Sequence, residues 1–214
     1  MKVLLVNGSP RQQSNTFIAL SEVAKTLNEQ GITTEIVHIG TKPVRGCIAC
    51  GRCLQQAGKP YPDGHIGCVF NDDVCNQIGA KYAEADGLIF GSPVYYGQPN
   101  GALLSVMQRS FFSLTHLVVG KPSAAVAICR RGGATAAFQT LQMPMQMLNM
   151  PIVTSQYWNI AYGREAGEAA LDVEGMQTMR TLALNMAQML KGLRGGNAPQ
   201  KPEYEPWAPM HFIR

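Results

Sequence analysis

Five short apolar runs, set apart by longer amphipathic stretches, constrain the fold of this chain more than any other feature. "KVLLVN" (2–7), "ITTEIVHI" (32–39), "DGLIFG" (86–91), "SAAVAIC" (123–129) and "PIVTS" (151–155) have the length and β-branched character of buried strands. Residues 15–30, 72–85, 100–114, 135–149 and 174–193 carry helical patterns. In the first of these Ile18, Val23 and Leu27 share a face, and Gly31 supplies the stop. Asp72 is placed to cap the second, and Pro144 predicts a break or kink in the fourth. Strand–helix alternation of this kind dictates a parallel sheet covered by helices on both faces, with right-handed crossovers. Ligands of such sheets bind beyond the carboxyl ends of the strands. The loops at 8–15, 92–99 and 129–134 all lie at such ends, so one composite site is expected there.

The 214 residues, 46% hydrophobic and 15% charged, suit one domain with a well-filled core. That domain spans 1–194 and includes a long irregular stretch, 40–71, that holds most of the cysteines. Residues 195–214 are proline-rich and read as an extended tail, in which Trp207 and Phe212 suit docking. A net charge of +4 favours anionic small molecules. Lys and Arg are scattered, without the basic stripe of a nucleic-acid binder. No window has the length of a membrane span, and the opening apolar run Val3 to Val6 is too short for a signal core. A cytoplasmic location is expected, where six cysteines point to metal or catalysis rather than to structural pairing.

The loop "NGSPRQQSNT" (7–16) hands the first strand over to its helix. It offers the hydroxyls of Ser9, Ser14 and Thr16, the Asn15 amide, Arg11, and the free N–H groups of a helix start. That equipment suits a terminal phosphate dianion. Neither the Gly-Lys-Ser/Thr of a nucleotide P-loop nor G-x-G-x-x-G is present, so a mononucleotide fits better than a dinucleotide. "GSPVYYGQPNG" (91–101) adds stiffening prolines, glycines that allow close approach, and the aromatic surface of Tyr95 and Tyr96, which together suit a planar ring. In "GCIACGRC" (46–53) the C-x-x-C-x-x-C spacing admits an iron–sulfur cluster, half of a zinc site, a redox pair or a turn of inert thiols.

"GSPRQQSNT", "GSPVYYGQPNG" and "CRRGG" (129–133), in this order and at strand ends, resemble the flavodoxin-like NAD(P)H-dependent FMN reductase family. The cysteine run followed by "GCVFNDD" (67–73) is similar to the iron–sulfur flavoprotein branch. The resemblance implies an α/β, flavodoxin-like three-layer sandwich whose five-stranded parallel sheet has the order 2-1-3-4-5. It implies bound FMN and a homodimer or homotetramer. It also implies hydride transfer from NAD(P)H, with electrons passed on to a quinone, a flavin or another small acceptor. Ser9, Arg11, Ser14, Asn15 and Thr16 would hold the FMN phosphate. Pro93, Val94, Tyr95, Tyr96 and Gly97 would line the ring, and Arg130, Gly132 and Gly133 would approach its far edge. The flavin carries the chemistry, so no catalytic acid or base is assigned. Cys68 stands where that branch has its fourth cysteine, although 14 residues separate it from Cys53. Cys47, Cys50, Cys53 and Cys68 could hold a [4Fe–4S] cluster, which would make the chain an electron carrier using FMN plus the cluster. Zinc and free thiols are the other options. His65 reads as a surface residue that could also be a ligand, while Cys75 and Cys129 read as packing residues.

Overall fold

The computed structural model describes residues 1–195; the tail expected over 195–214, with Trp207 and Phe212, lies outside them apart from its first residue. The chain runs β1 (Lys2–Asn7), α1 (Asn15–Glu29), β2 (Thr33–His38), α2 (Arg52–Gln56), α3 (Cys75–Ala80), β3 (Gly87–Tyr95) and β4 (Gln98–Pro99). It continues through α4 (Gly101–Ser113), α5 (Thr115–Val118), β5 (Ser123–Cys129), α6 (Ala134–Met147), β6 (Ile160–Tyr162) and α7 (Val173–Arg194). The parallel strands lie in the order β2-β1-β3-β5-β6, and β4 folds back antiparallel on β3. Counted among parallel strands alone, this is the expected 2-1-3-4-5.

Alternation along the strands divides the core in two. Val3 and Leu5 of β1, with Ile89 of β3 and Val126 of β5, pack beneath α1 and α7. Leu4 and Val6, with Leu88, Phe90 and Ala125, pack against α3, α4 and α6 on the opposite face. Three layers result. The Ser14 hydroxyl accepts the Phe17 N–H (3.1 Å) to start α1. Gly31, with φ 76°, ends it as Ile32 N–H reaches back to the Leu27 carbonyl (3.0 Å).

Four expectations need correction. The fifth parallel strand is Ile160–Tyr162, not 151–155. Ile152 makes only an isolated bridge to Ser123. The chain then bulges away, and Asn159 donates to the Ala125 carbonyl (3.1 Å) before pairing resumes. β3 is longer than expected and carries on to Tyr95, because β4 pairs with its extension. The helix expected from Asp72 starts at Cys75, where Asp73 accepts the Cys75 N–H (3.0 Å). Finally, α6 runs through Pro144 without the break that proline could have made. Proline removes one N–H bond there, but Leu141 and Met145, both buried, anchor the helix on either side of it. No helix among the described residues is long and apolar enough to cross a membrane.

Candidate functional site

Ser9, Arg11, Ser14, Thr16, Pro93 and Val94 line one cleft at the carboxyl ends of β1, β3 and β5. Tyr95, Ile128, Cys129, Arg130, Gly163 and Arg164 complete most of its wall. The loop after β1 is wound by its own side chains. Asn7 Oδ1 accepts the Ser9 N–H (3.0 Å), and Ser9 Oγ accepts the Arg11 N–H (3.2 Å). Gly8 N–H donates to the Gly91 carbonyl (2.7 Å), and Asn100 Nδ2 donates to the Gly8 carbonyl (2.7 Å), so the loop after β1 is tied to β3 and to the start of α4. A Cβ at Gly8 would stand 2.7 Å from the Gly91 oxygen, which only glycine avoids.

Ile18 N–H makes the first intrahelical bond of α1, to Ser14 (3.0 Å), and Ser14 Oγ takes the Phe17 N–H. The backbone N–H groups of Asn15 and Thr16 are left at the cleft, where an anion would find them. Arg11, Arg130 and Arg164 add positive charge, and no acidic residue is among the lining ones. These donors fit a phosphate dianion.

Asn15 lines the same cleft, but its side chain is engaged behind it. Its side-chain amide donates to the Glu165 carbonyl (2.8 Å) and accepts from Gly167 N–H and Ala169 N–H (both 3.1 Å). The amide therefore ties down the 163–169 segment, while Asn15 lines the cleft and its backbone N–H is open to an anion there.

The loop expected over 92–99 is a hairpin. Tyr96 (φ 51°) and Gly97 (φ 76°) form a left-handed two-residue turn, and Val94↔Pro99 and Tyr95↔Gln98 pair across it. Pro93, Val94 and Tyr95 line the cleft as expected, but Tyr96 projects fully into solvent and Gly97 serves the turn. Gly132 and Gly133 line a neighbouring cleft with Arg131, Tyr157, Trp158 and Tyr162, aromatic residues that the sequence reading did not assign. Gly133 still touches the hairpin, since a Cβ on it would stand 2.8 Å from the Gly97 Cα.

Across the sheet from α1, the loop 45–73 folds on α4. Cys47, Cys50, Cys53 and Cys68 line one cavity with Arg109 and Phe112. The 14 inserted residues are organised rather than slack. They hold the last three residues of α2, a closure of Tyr61 N–H on the His65 carbonyl (2.8 Å), and a stack of Tyr61 on His65 (4.4 Å between rings). His65 Nδ1 pairs with Asp63 (2.5 Å) and Nε2 with the Cys68 carbonyl (3.0 Å), so neither nitrogen is free to ligate. Asn76 brackets Cys68 from the other side, accepting its N–H (2.9 Å) and donating to its carbonyl (2.8 Å).

Arg109 is buried at the centre of this arrangement, 2% exposed. Its Nη1 donates to the Arg45 carbonyl (3.0 Å) and to Asp73, and its Nη2 to the Phe70 carbonyl (2.9 Å). Burial pushes the Asp73 carboxyl up, but Arg109 and two backbone N–H donors outweigh it and hold Asp73 below the usual carboxylate range. Burial first, and then the neighbouring Cys68 and Cys50 sulfurs, raise the Cys53 thiol.

The donor set fits a metal group in two respects. Thiolates crowded together are relieved by cationic iron. The Tyr61 hydroxyl, close to Cys53 and Cys68, is buried without a partner. Among the described residues no three His, Cys, Asp or Glu side chains converge as one ion requires. A [4Fe–4S] cluster spreads its four thiolates over four irons and so needs them further apart. The cavity is about 20 Å³, room for one water, and Cys47 and Cys50 lie on its exposed side.

Burial drives the Cys75 thiol up to about 12, and Cys129 is also buried. A thiol in that state has almost no thiolate at pH 8. Iodoacetamide applied to the native metal-free protein at that pH should label Cys47 and Cys50 and spare Cys75 until denaturant is added. Peptide mass spectrometry checks this, and native labelling of Cys75 would show an open core.

The family described as NADPH-dependent FMN reductase matches residues 1–165. An iron–sulfur flavoprotein of Methanocaldococcus jannaschii is 33% identical over 201 residues, covering 89% of this chain and 98% of the relative. Among solved structures, RosB with bound 8-demethyl-8-formylriboflavin-5′-phosphate superposes with a TM-score of 0.67 at 16% identity, over 92% of this chain and 81% of RosB. A flavodoxin from the domain Archaea gives 0.56 at 13% identity, over 89% of this chain and 99% of that one. At such identities the likeness shows the fold, which is flavodoxin-like.

Proposed function

The chain belongs to the NADPH-dependent FMN reductase family, and on that premise we propose that it takes electrons from NAD(P)H through FMN and passes them to a quinone, a flavin or another small acceptor. It is an FMN-dependent oxidoreductase. One observation carries the placement of the cofactor: backbone N–H groups at the start of α1 and three arginines converge on a cleft with no acidic lining, beside the stiff Pro93–Tyr95 edge.

FMN, when bound, supplies the hydride and single-electron chemistry. The residues of this chain bind and orient it. Ser9, Arg11 and Thr16, with the Asn15 and Thr16 N–H groups, hold the phosphate. Ser14 acts through the cap that exposes those donors. Pro93, Val94 and Tyr95 set the plane of the ring, and Arg130 offers positive charge where electrons accumulate. Gly97 and Gly133 keep the hairpin against the loop after β5. A homodimer or homotetramer in the cytoplasm belongs to the same proposal, and the exposed Tyr157, Trp158 and Leu171 suit association.

Arg11→Ala tests the cleft. FMN binding to the apo-protein should weaken about tenfold, the loss of one charge-assisted hydrogen bond. Riboflavin, which lacks the phosphate, should bind as before. Flavin fluorescence quenching reads both, and equal losses would put Arg11 away from the phosphate.

A second reading has its own observation. Four thiols share a cavity with a buried guanidinium, which supports an iron–sulfur flavoprotein carrier with Cys47, Cys50, Cys53 and Cys68 as ligands. Anaerobic purification followed by a visible spectrum separates the two. A broad shoulder that bleaches on reduction supports the carrier, and flavin bands alone support the reductase without a cluster.

A further inference from the structure

The Nε–H of Arg109 donates to the Cys68 sulfur at 3.4 Å. The other bonds of this side chain explain the shape of the loop, because the Arg45 and Phe70 carbonyls and the Asp73 carboxylate all lie in the segment that carries the cysteines. The contact to sulfur adds nothing to that anchoring, since Asn76 already fixes the Cys68 backbone at both its N–H and its carbonyl. A buried guanidinium aimed at a thiol therefore calls for an electronic account. We propose that Arg109 is a positioning residue that raises the reduction potential of the cysteine centre through its hydrogen bond and charge at Cys68.

The inference rests on the reading of the four thiols as ligands of a [4Fe–4S] cluster. One added electron makes such a centre more negative by one charge. Hydrogen bonds to the ligating sulfurs and nearby positive charge favour that form, which is how proteins tune these potentials. Asp73 neutralises part of the charge but binds through Nη1, while Nε–H stays on the sulfur. No other side-chain donor to the Cys68 sulfur is present among the described residues.

The test uses the full chain, reconstituted anaerobically with ferrous iron and sulfide and titrated with dithionite as electron donor. Cluster absorbance and electron paramagnetic resonance report the midpoint. Removing Arg109 alone would strand Asp73, so the main variant is the double change Arg109→Gln with Asp73→Asn. At a fixed potential its reduced-to-oxidised ratio should fall at least tenfold, about 59 mV for one electron. Arg109→Lys keeps the charge on a shorter reach and should shift in the same direction by less. If the double variant does not fold, this single variant decides by the presence or absence of that shift. Asn76→Ala loosens the loop without touching sulfur and should lower iron content while leaving the midpoint in place. Midpoints equal to wild type in cluster-bearing Arg109 variants would overturn the inference, and so would an equal shift in Asn76→Ala. If the wild-type chain assembles no cluster, the inference falls together with the reading beneath it, while FMN binding, measured separately, is unaffected.

Discussion

Asp73→Asn should remove about 3–5 kcal/mol of folding stability at pH 7, the loss expected when one partner of a buried ion pair is neutralised. The side chains of Asp73 and Arg109 are 4% and 1% exposed. The carboxylate is the only acidic partner of Arg109 among the described salt bridges, so its removal leaves a buried guanidinium facing carbonyls and a thiol. The neighbouring Asp72 is the control. It pairs with Arg45 at 3.2 Å on the surface, with side chains 63% and 44% exposed, and Asp72→Asn should cost about 1 kcal/mol or less. Acid gives a second measure. The folded-state pKa of Asp73 is depressed, so its contribution is complete above the unfolded value of about 3.9 and is lost as pH falls through the lower folded value. Urea midpoints of wild type and Asp73→Asn should therefore differ widely at neutral pH and approach each other in strong acid. Equal effects for Asp72→Asn and Asp73→Asn would refute the buried pair.

Much of the architecture follows from short-range patterning. "KVLLVN" is apolar on both faces because β1 is an interior strand, between β2 and β3. Ser14 and Gly31 bracket α1 through local hydrogen bonds that need no tertiary partner. The free donors at the start of α1 were legible for the same reason, since a strand followed by a capped helix leaves N–H groups unpaired wherever it occurs.

The features that escaped depend on distant partners. "NIAYG" (159–163) has too few apolar residues to read as a strand, and β5 makes it one by offering Ala127, Ile128 and Cys129 for pairing. The hairpin at Tyr96–Gly97 places a tyrosine in a left-handed position that normally favours Asn or Gly, so its turn was hidden. In "VMQRSFF" (106–112) nothing local marks Arg109 as buried, and only the loop 45–73 folding over α4 covers it. The Asn15 amide looked available until the 163–169 segment, far along the chain, was seen to occupy it.

Gly133→Ala should weaken FMN binding at least tenfold, whereas Gly132→Ala next to it should change binding little. The contrast separates two causes that adjacent glycines usually confound. Gly133 sits at φ 87°, where a Cβ costs about 1–2 kcal/mol. The added carbon would also stand 2.8 Å from the Gly97 Cα and 3.3 Å from Val94 Cγ1, so backbone must move apart. What separates is the hairpin carrying Pro93–Tyr95 from the loop carrying Arg130, the two edges proposed to grip the ring. A Cβ on Gly132 meets nothing within 4 Å. Because the α1 end of the cleft is untouched, the phosphate contacts survive in both variants. Riboflavin should then lose as much affinity as FMN in Gly133→Ala, the reverse of the selectivity expected for Arg11→Ala. Calorimetric titration of the two flavins against the two glycine variants decides the matter. Matching affinities for Gly132→Ala and Gly133→Ala would mean that the ring is not held between these turns.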